Sequence, residues 1–191
     1  VYNEAGIIEQ VIRDLYAKVV AVMPLTQVIL AEDGSTDGTK EILRKLNKEF
    51  PFRLISSEER KGYTRALSDA LKIARTELVF FCDSDGQHDP ANFFDLLKKI
   101  DVCDIVGGSK CPRRDPAHRI LLARGYNFLV WLLFGLRVRD IDSGFKLIKK
   151  TVIEDVLKEP MRFKYCVMSE FIVKAHLAGY KFEEVPVSHV A

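Results

Sequence analysis

Two aspartates stand one residue apart at the end of an apolar run, in the stretch LVFFCDSDGQHDP from Leu78 to Pro90. Two carboxylates this close repel each other, and taking either out of water is costly. The pair has the chemistry of oxygen ligands for a hard cation. Mg²⁺ is usually held by one or two carboxylates, with waters and substrate phosphates filling the other positions. Asp83 and Asp85 therefore point to Mg²⁺ or Mn²⁺ neutralising a diphosphate, with Gln87 or His88 adding a ligand or a hydrogen bond. The plainer reading is a turn with solvated acids.

Positioning such a pair takes a strand in a ligand-binding sheet. Apolar runs alternate with helical patterns: strands at 27–31, 52–56, 78–82 and 104–107, helices at 37–50, 64–75 and after Asp89-Pro90. Asp89 is a good N-cap followed by Pro at the first helical position. The βαβαβα order predicts an α/β fold, a three-layer αβα sandwich with a mostly parallel central sheet. Such sheets bind ligands beyond the carboxyl ends of their strands. Glu32-Asp33 sits at one such end and Asp83/Asp85 at another, so one acidic rim is expected.

At 191 residues the chain suits one sizeable core. Its net charge of +2 gives no case for nucleic acid. The charge is uneven: residues 1–109 carry a balance of −4 and residues 110–164 a balance of +7. The only long loop expected is 109–116, rich in Lys, Arg and Pro. Four cysteines show no metal spacing, which favours reduced thiols in a cytosolic compartment. No stretch reaches the ~20 apolar residues of a membrane span, and no signal peptide is present.

Other strings with this acidic spacing fit less well. A calcium loop of the EF-hand type needs a preceding helix and Gly at its sixth position, whereas here a strand precedes and Gly86 is fourth. Phosphatases with an Asp nucleophile place Thr after the Gly, where this chain has Gln87.

Taken together, VYNE (Val1 to Glu4), AEDGSTDGTKEIL (Ala31 to Leu43), RKGYTRAL (Arg60 to Leu67) and CDSDGQHDP closely resemble the family 2 glycosyltransferases, enzymes of the GT-A fold. RDIDSGFKLIKK (Arg139 to Lys150) and SEFIVKAHLAGYKFEEVPVSH (Ser169 to His189) resemble the branch that loads sugars onto polyprenyl phosphates, such as dolichyl or undecaprenyl phosphate. Lys146 stands where that branch more often has Arg. The family's first strand precedes its Tyr-Asn-Glu and a basic stretch follows its VPVSH, so a fragment lacking both is expected.

The resemblance implies a single catalytic domain that transfers a hexose, with inversion, from a UDP- or GDP-sugar. It implies Asp83 and Asp85 at the metal with Gln87 in support, and Asp33, Glu4 and Lys61 toward the nucleotide. Glu4 equally suits a first-turn acid, Asp37 the cap of its helix and Lys61 a solvated surface. The resemblance also implies that Arg124, Arg139 and Ser143 hold an acceptor phosphate, which guanidinium forks suit. An ionised phosphate needs no strong base, whereas a glycan hydroxyl does, and Asp142 is the candidate there. Glu170 either orients the acceptor or anchors a loop.

The segment AHRILLARGYNFLVWLLFGL (Ala117 to Leu136) has two readings: a buried core helix, or an interfacial helix with Trp131 and Tyr126 at headgroup depth. The second makes the protein peripheral on the cytosolic face of a membrane. A degenerate domain that binds a nucleotide without turnover is the non-enzyme alternative.

Overall fold

A computed structural model describes residues 1–112 and 116–189; the centre of the basic 109–116 loop, and its Arg113 and Arg114, lie outside the described residues. In chain order the elements are α1 (Ile8–Leu15), continued by one π-helical turn (Tyr16–Val20), β1 (Val28–Asp33), α2 (Thr39–Leu46), β2 (Phe52–Ser57), α3 (Tyr63–Ile73) and β3 (Leu78–Cys82). Then follow α4 (Phe93–Leu97), β4 (Ile105–Lys110), α5 (Ala117–Phe134), β5 (Phe145–Lys149), α6 (Lys150–Val156), α7 (Val167–Leu177) and β6 (Phe182–Val187). Each expected strand and helix is present, with ends displaced by a few residues. Gln27 falls outside β1, and Glu32 and Asp33 fall inside it.

β1 and β2 pair in parallel. The other four strands lie in the order β3-β5-β4-β6, parallel between β4 and β6. β5 runs antiparallel to both of its neighbours. Side chains alternate across the strands and so feed two cores. Ile105 and Ile148 face the layer of α3, α6 and α7. Val106, Phe145 and Leu147 face α4 and the end of α1. A third cluster joins α1 and α2 to β1 and β2 through Ile8, Ile12, Leu43, Leu46, Val28 and Phe52.

The sequence suggests that β3 is strongly buried, but all five of its residues are only half-buried. The reason is a cavity of about 890 Å³ between β1, β3 and α3, with Ile29, Ala31, Phe80, Leu78 and Ala70 among its lining. Here β1 and β3 turn edges to one another without pairing. At the mouth, the Val1 amino group donates to the Ala31 carbonyl (2.8 Å) and the Asp33 amide donates to the Val1 carbonyl (3.0 Å). That is the spacing of one further parallel partner beside β1.

The turn after β1 depends on Gly34. Its φ is +74°, and a Cβ there would lie 2.5 Å from the Arg60 backbone nitrogen. Gly38 has φ +96° with nothing within 4 Å. Gly38→Ala should therefore cost only the left-handed penalty, about 1–2 kcal/mol. Gly34→Ala should cost clearly more, because backbone must move as well. Urea denaturation of both variants is the check, and equal losses would show that the 60–62 backbone yields freely.

Candidate active site

The first residues are locked onto the β1–α2 turn. Asn3 accepts from the Thr36 amide (2.9 Å) and its own amide donates to the Ser35 hydroxyl (3.0 Å). The Glu4 amide donates to the Thr39 hydroxyl (2.9 Å), and the Ala5 amide to Asp37 (3.0 Å). Asp37 also accepts from the Thr39 amide and hydroxyl (3.1 and 2.5 Å). Asp37 is not the N-cap expected from the sequence: Gly38 holds that position without a side-chain cap, and Asp37, one residue earlier, ties the first helical residue to the chain start. Glu4 lines the cavity with its carboxyl raised above the usual range, first by burial and then by repulsion from Asp85.

Glu32 and Asp33 end β1 buried, yet each is satisfied by donors. Glu32 accepts from the Ser35 amide (2.5 Å) and the Ser56 hydroxyl (2.7 Å). Burial pushes its carboxyl up, but these donors and Lys40 outweigh it and hold it below the usual range. Asp33 accepts from the amides of Lys61 (2.7 Å) and Gly62 (2.9 and 3.2 Å), just before α3. Its carboxylate therefore shapes the Arg60–Gly62 turn while lining the cavity. The Lys61 side chain is exposed. Arg60 stacks over the Tyr2 ring at 4.0 Å, a flat cation–π surface at the same rim.

Asp83 follows β3. Its amide donates to the Gly144 carbonyl (2.8 Å), and its carboxylate lies so close to Gly144 that any Cβ there would overlap it. The Tyr63 hydroxyl donates to the same carboxylate (3.0 Å). Burial, helped by Asp85, pushes the Asp83 carboxyl up to about 6, and the Tyr63 bond opposes the rise. Asp85 is exposed and accepts from the Gln87 amide (3.0 Å). Gln87 turns its carbonyl to Lys110 and His189 (both 3.2 Å). His88 is a buried histidine against Phe145 at 5.0 Å, not a free loop residue, and burial lowers its pKa to about 4.

Among the described residues no group of three or more acidic, His or Cys side chains is placed to hold a metal by protein alone. The donor set fits a different kind of cation. Asp83 is half-buried, with a carboxyl raised chiefly by desolvation, and Asp85 is open to solvent beside it. Two carboxylates of this sort fit Mg²⁺ or Mn²⁺ that shares its remaining positions with a diphosphate.

The other sequence candidates lie elsewhere. Arg139 lines a separate cavity of about 250 Å³ with Arg137, Ser109 and Glu184. Its amide and that of Asp140 donate to Glu184 (2.7 and 2.8 Å). Arg124 is exposed on α5. Ser143 is buried, with a hydroxyl that meets no partner and a carbonyl that accepts from the Lys146 ammonium. Asp142 is exposed and accepts from the Ser169 amide (3.3 Å) and hydroxyl (3.1 Å). Glu170 anchors a loop: it accepts from the amides of Arg162 and Phe163 (2.7–3.0 Å) and pairs with Lys174 at 2.8 Å.

Tyr2, Glu4, Asp33, Arg60, Tyr63, Asp83 and Asp85 thus share one cavity. Tyr63 was not singled out from sequence, although it stands in the quoted RKGYTRAL stretch. His189, and the burial of Lys146, also emerge only in three dimensions. Burial pushes the Lys146 ammonium down to about 8, against the pull of Asp140, Asp142, Asp83 and Glu184.

The helices on both sides of the sheets and the acidic rim at the strand ends match the GT-A class of glycosyltransferase folds. The chain belongs to glycosyl transferase family 2, whose model matches residues 1–157. It is 31% identical over 195 residues to the glycosyltransferase AglD of Haloferax volcanii, covering 97% of this chain and 31% of AglD. It is 28% identical over 169 residues to the dolichol-phosphate mannosyltransferase of Pyrococcus furiosus, covering 84% of this chain and 47% of that one. The chain thus spans less than half of either relative. Among solved structures it superposes on a Pyrobaculum calidifontis mannosyltransferase in complex with GDP-Man and Mn²⁺, with TM-score 0.73, 23% identity, and coverage of 100% of this chain and 54% of the other. The glucosyl-3-phosphoglycerate synthase of Mycobacterium tuberculosis, in complex with Mn²⁺, UDP and phosphoglyceric acid, gives TM-score 0.73 at 19% identity over 100% of this chain and 68% of that one.

Two outcomes are expected at this site. Asp85→Ala should keep the fold, because it removes an exposed repulsive carboxylate, and should abolish Mn²⁺-dependent binding of UDP or GDP in calorimetry. Nucleotide binding that ignores Mn²⁺ in wild type and variant alike would rule out the metal role. Asp33→Ala should weaken nucleotide binding by about 1–3 kcal/mol and leave pyrophosphate binding nearly unchanged. Equal losses for the two would move Asp33 to the phosphate side.

Proposed function

We propose that this domain transfers a hexose, with inversion, from a UDP- or GDP-sugar to a polyprenyl phosphate at a membrane surface, assisted by Mg²⁺ or Mn²⁺. Tyr2, Asp33 and Arg60 receive the nucleoside, and Asp83 and Asp85 hold the metal. When bound, the metal takes up negative charge developing on the departing nucleoside diphosphate. Tyr63 keeps one Asp83 oxygen oriented. Arg124, Arg139 and the buried Ser143 hydroxyl receive the acceptor phosphate, whose own ionised oxygen attacks the sugar.

The observation that carries the lipid acceptor is the orientation of α5. Ile120, Ala123, Asn127 and Val130 form its inward stripe, and of these only Val130 is fully buried. Its outer face is the more apolar one: Leu121, Leu122 and Leu133 are each about 70% exposed, and Leu132 61%. Trp131 and Tyr126 lie at the border, and Arg137 stacks over Trp131 at 5.7 Å. Arg119, Arg124, Arg137 and Arg139 are exposed along or just beyond the helix. An apolar face of this size, flanked by cations, suits the headgroup–acyl boundary of an anionic membrane. No helix among the described residues is long and apolar enough to cross a membrane. The core-helix reading of α5 does not hold.

The alternative acceptor, a glycan hydroxyl, needs a free base. One Asp142 oxygen already accepts twice from Ser169, which favours the phosphate. Family membership removes the Asp-nucleophile phosphatase reading, and the intact acidic pair speaks against a domain without turnover.

The test is nucleotide release from a panel of nucleotide-sugars with and without polyprenyl phosphate. Release that rises only with the lipid supports the proposal, and release stimulated only by a glycan supports the alternative. Trp131→Glu should leave the melting temperature nearly unchanged and weaken sedimentation with anionic liposomes. Arg139→Ala should raise KM for polyprenyl phosphate and not for the nucleotide-sugar; the reverse pattern would place Arg139 on the donor side.

A further inference from the structure

Lys146 has no solvent exposure and sits in the middle of the sheet, between Phe81 of β3 and Gly107 of β4. A buried ammonium is tolerated only where acceptors and opposite charges surround it, and an apolar residue of similar volume is often no less stable there. Stability alone therefore does not account for a lysine at this position. Its surroundings do. Its ammonium donates to the Ser143 carbonyl and faces Asp140, Asp142, Asp83 and Glu184.

These groups belong to three segments: the end of β3, strand β6 and the turn that runs into β5. Glu184 of β6 holds the Arg139 and Asp140 amides, at the start of the turn that runs into β5. Asp83, after β3, bonds the Gly144 carbonyl and packs on that glycine, at the end of the turn. Lys146 holds the turn's middle through Ser143. The turn carries Arg139, Asp142 and Ser143, the acceptor-side candidates, while Asp83 is the metal-side carboxylate. Lys146 is bonded to the turn and lies within the electrostatic reach of Asp83.

We propose that Lys146 is a positioning residue whose ammonium clamps the Asp140–Gly144 turn against Asp83 and so fixes the separation between acceptor and donor. The proposal deepens the transferase reading and rests on it for its kinetic arm. Misplacing reacting groups by about 1 Å can cost on the order of 100-fold in rate. Loss of the clamp should therefore spare nucleotide binding and slow transfer.

The variants are Lys146→Met, the charge-balanced pair Lys146→Met with Glu184→Gln, and Lys146→Arg. The paired variant should fold and bind UDP or GDP with Mn²⁺ about as wild type does. Its kcat for transfer should fall on the order of 100-fold, while slow hydrolysis of the donor by water, which needs no acceptor, changes little. Lys146→Arg, which keeps a buried donor cation, should recover most of the transfer. Amide exchange gives a readout independent of any acceptor: protection at Asp83, Arg139 and Asp140 should drop further in the paired variant than in Glu184→Gln alone, with Ile153 in α6 unchanged. Full transfer in the paired variant would reduce Lys146 to charge balance and overturn the proposal. So would equal losses of transfer and hydrolysis, or failure of the paired variant to fold, which would make its role one of stability. If wild type transfers to no polyprenyl phosphate, the acceptor reading falls, and the exchange pattern alone upholds or overturns the clamp.

Discussion

Carboxylates gathered at the ends of buried strands must each be answered by a donor, and this requirement organises most of the molecule around the site. Glu32 is met by Ser35 and Ser56, Asp33 by the amides before α3, and Asp37 by Thr39 and Ala5. Glu184 and Glu170 are met by amides of the loops they anchor. Each bond that pays for a buried charge also fixes a loop. Asp83 and Asp85 stand apart: a single phenol donates to the first, and the second is open to water. The rim is rigid where its acids are satisfied and short of donors at the Asp83/Asp85 pair.

The same economy appears at Gly144. Backbone and carboxylate approach so closely there that no side chain fits. The contact brings the β5 turn, with its arginine, aspartate and serine, against the Asp83 carboxylate. Lys146 lies directly behind it. Two loops distant in sequence are joined by a hydrogen bond, a missing Cβ and a buried cation.

α5 follows the opposite logic. Elsewhere most apolar residues of the strands and helices turn inward and acids turn out or find donors. Here Leu121, Leu122, Leu132 and Leu133 face solvent while the inward stripe is thin. A helix this exposed contributes little to the core.

Much of the site was legible because short-range chemistry wrote it. A carboxylate pair after an apolar run and the Asp89-Pro90 helix start are local devices, and their physics acts over a few residues. The α/β class follows from periodicity for the same reason. What periodicity cannot say is which edges pair. The alternation of β5 is the same whether it runs parallel or antiparallel, so its reversed direction, the open cleft beside β3 and the burial of Lys146 between two strands were set by tertiary contacts. α5, apolar nearly all round at its densest part, has no preferred face in sequence. Only the packing of Val130 and its neighbours decided which side looks outward. The residue types declared the chemistry, because charge and hydrogen-bonding capacity belong to each side chain; the folded chain alone decided which charges meet, because that depends on distances between segments far apart in sequence.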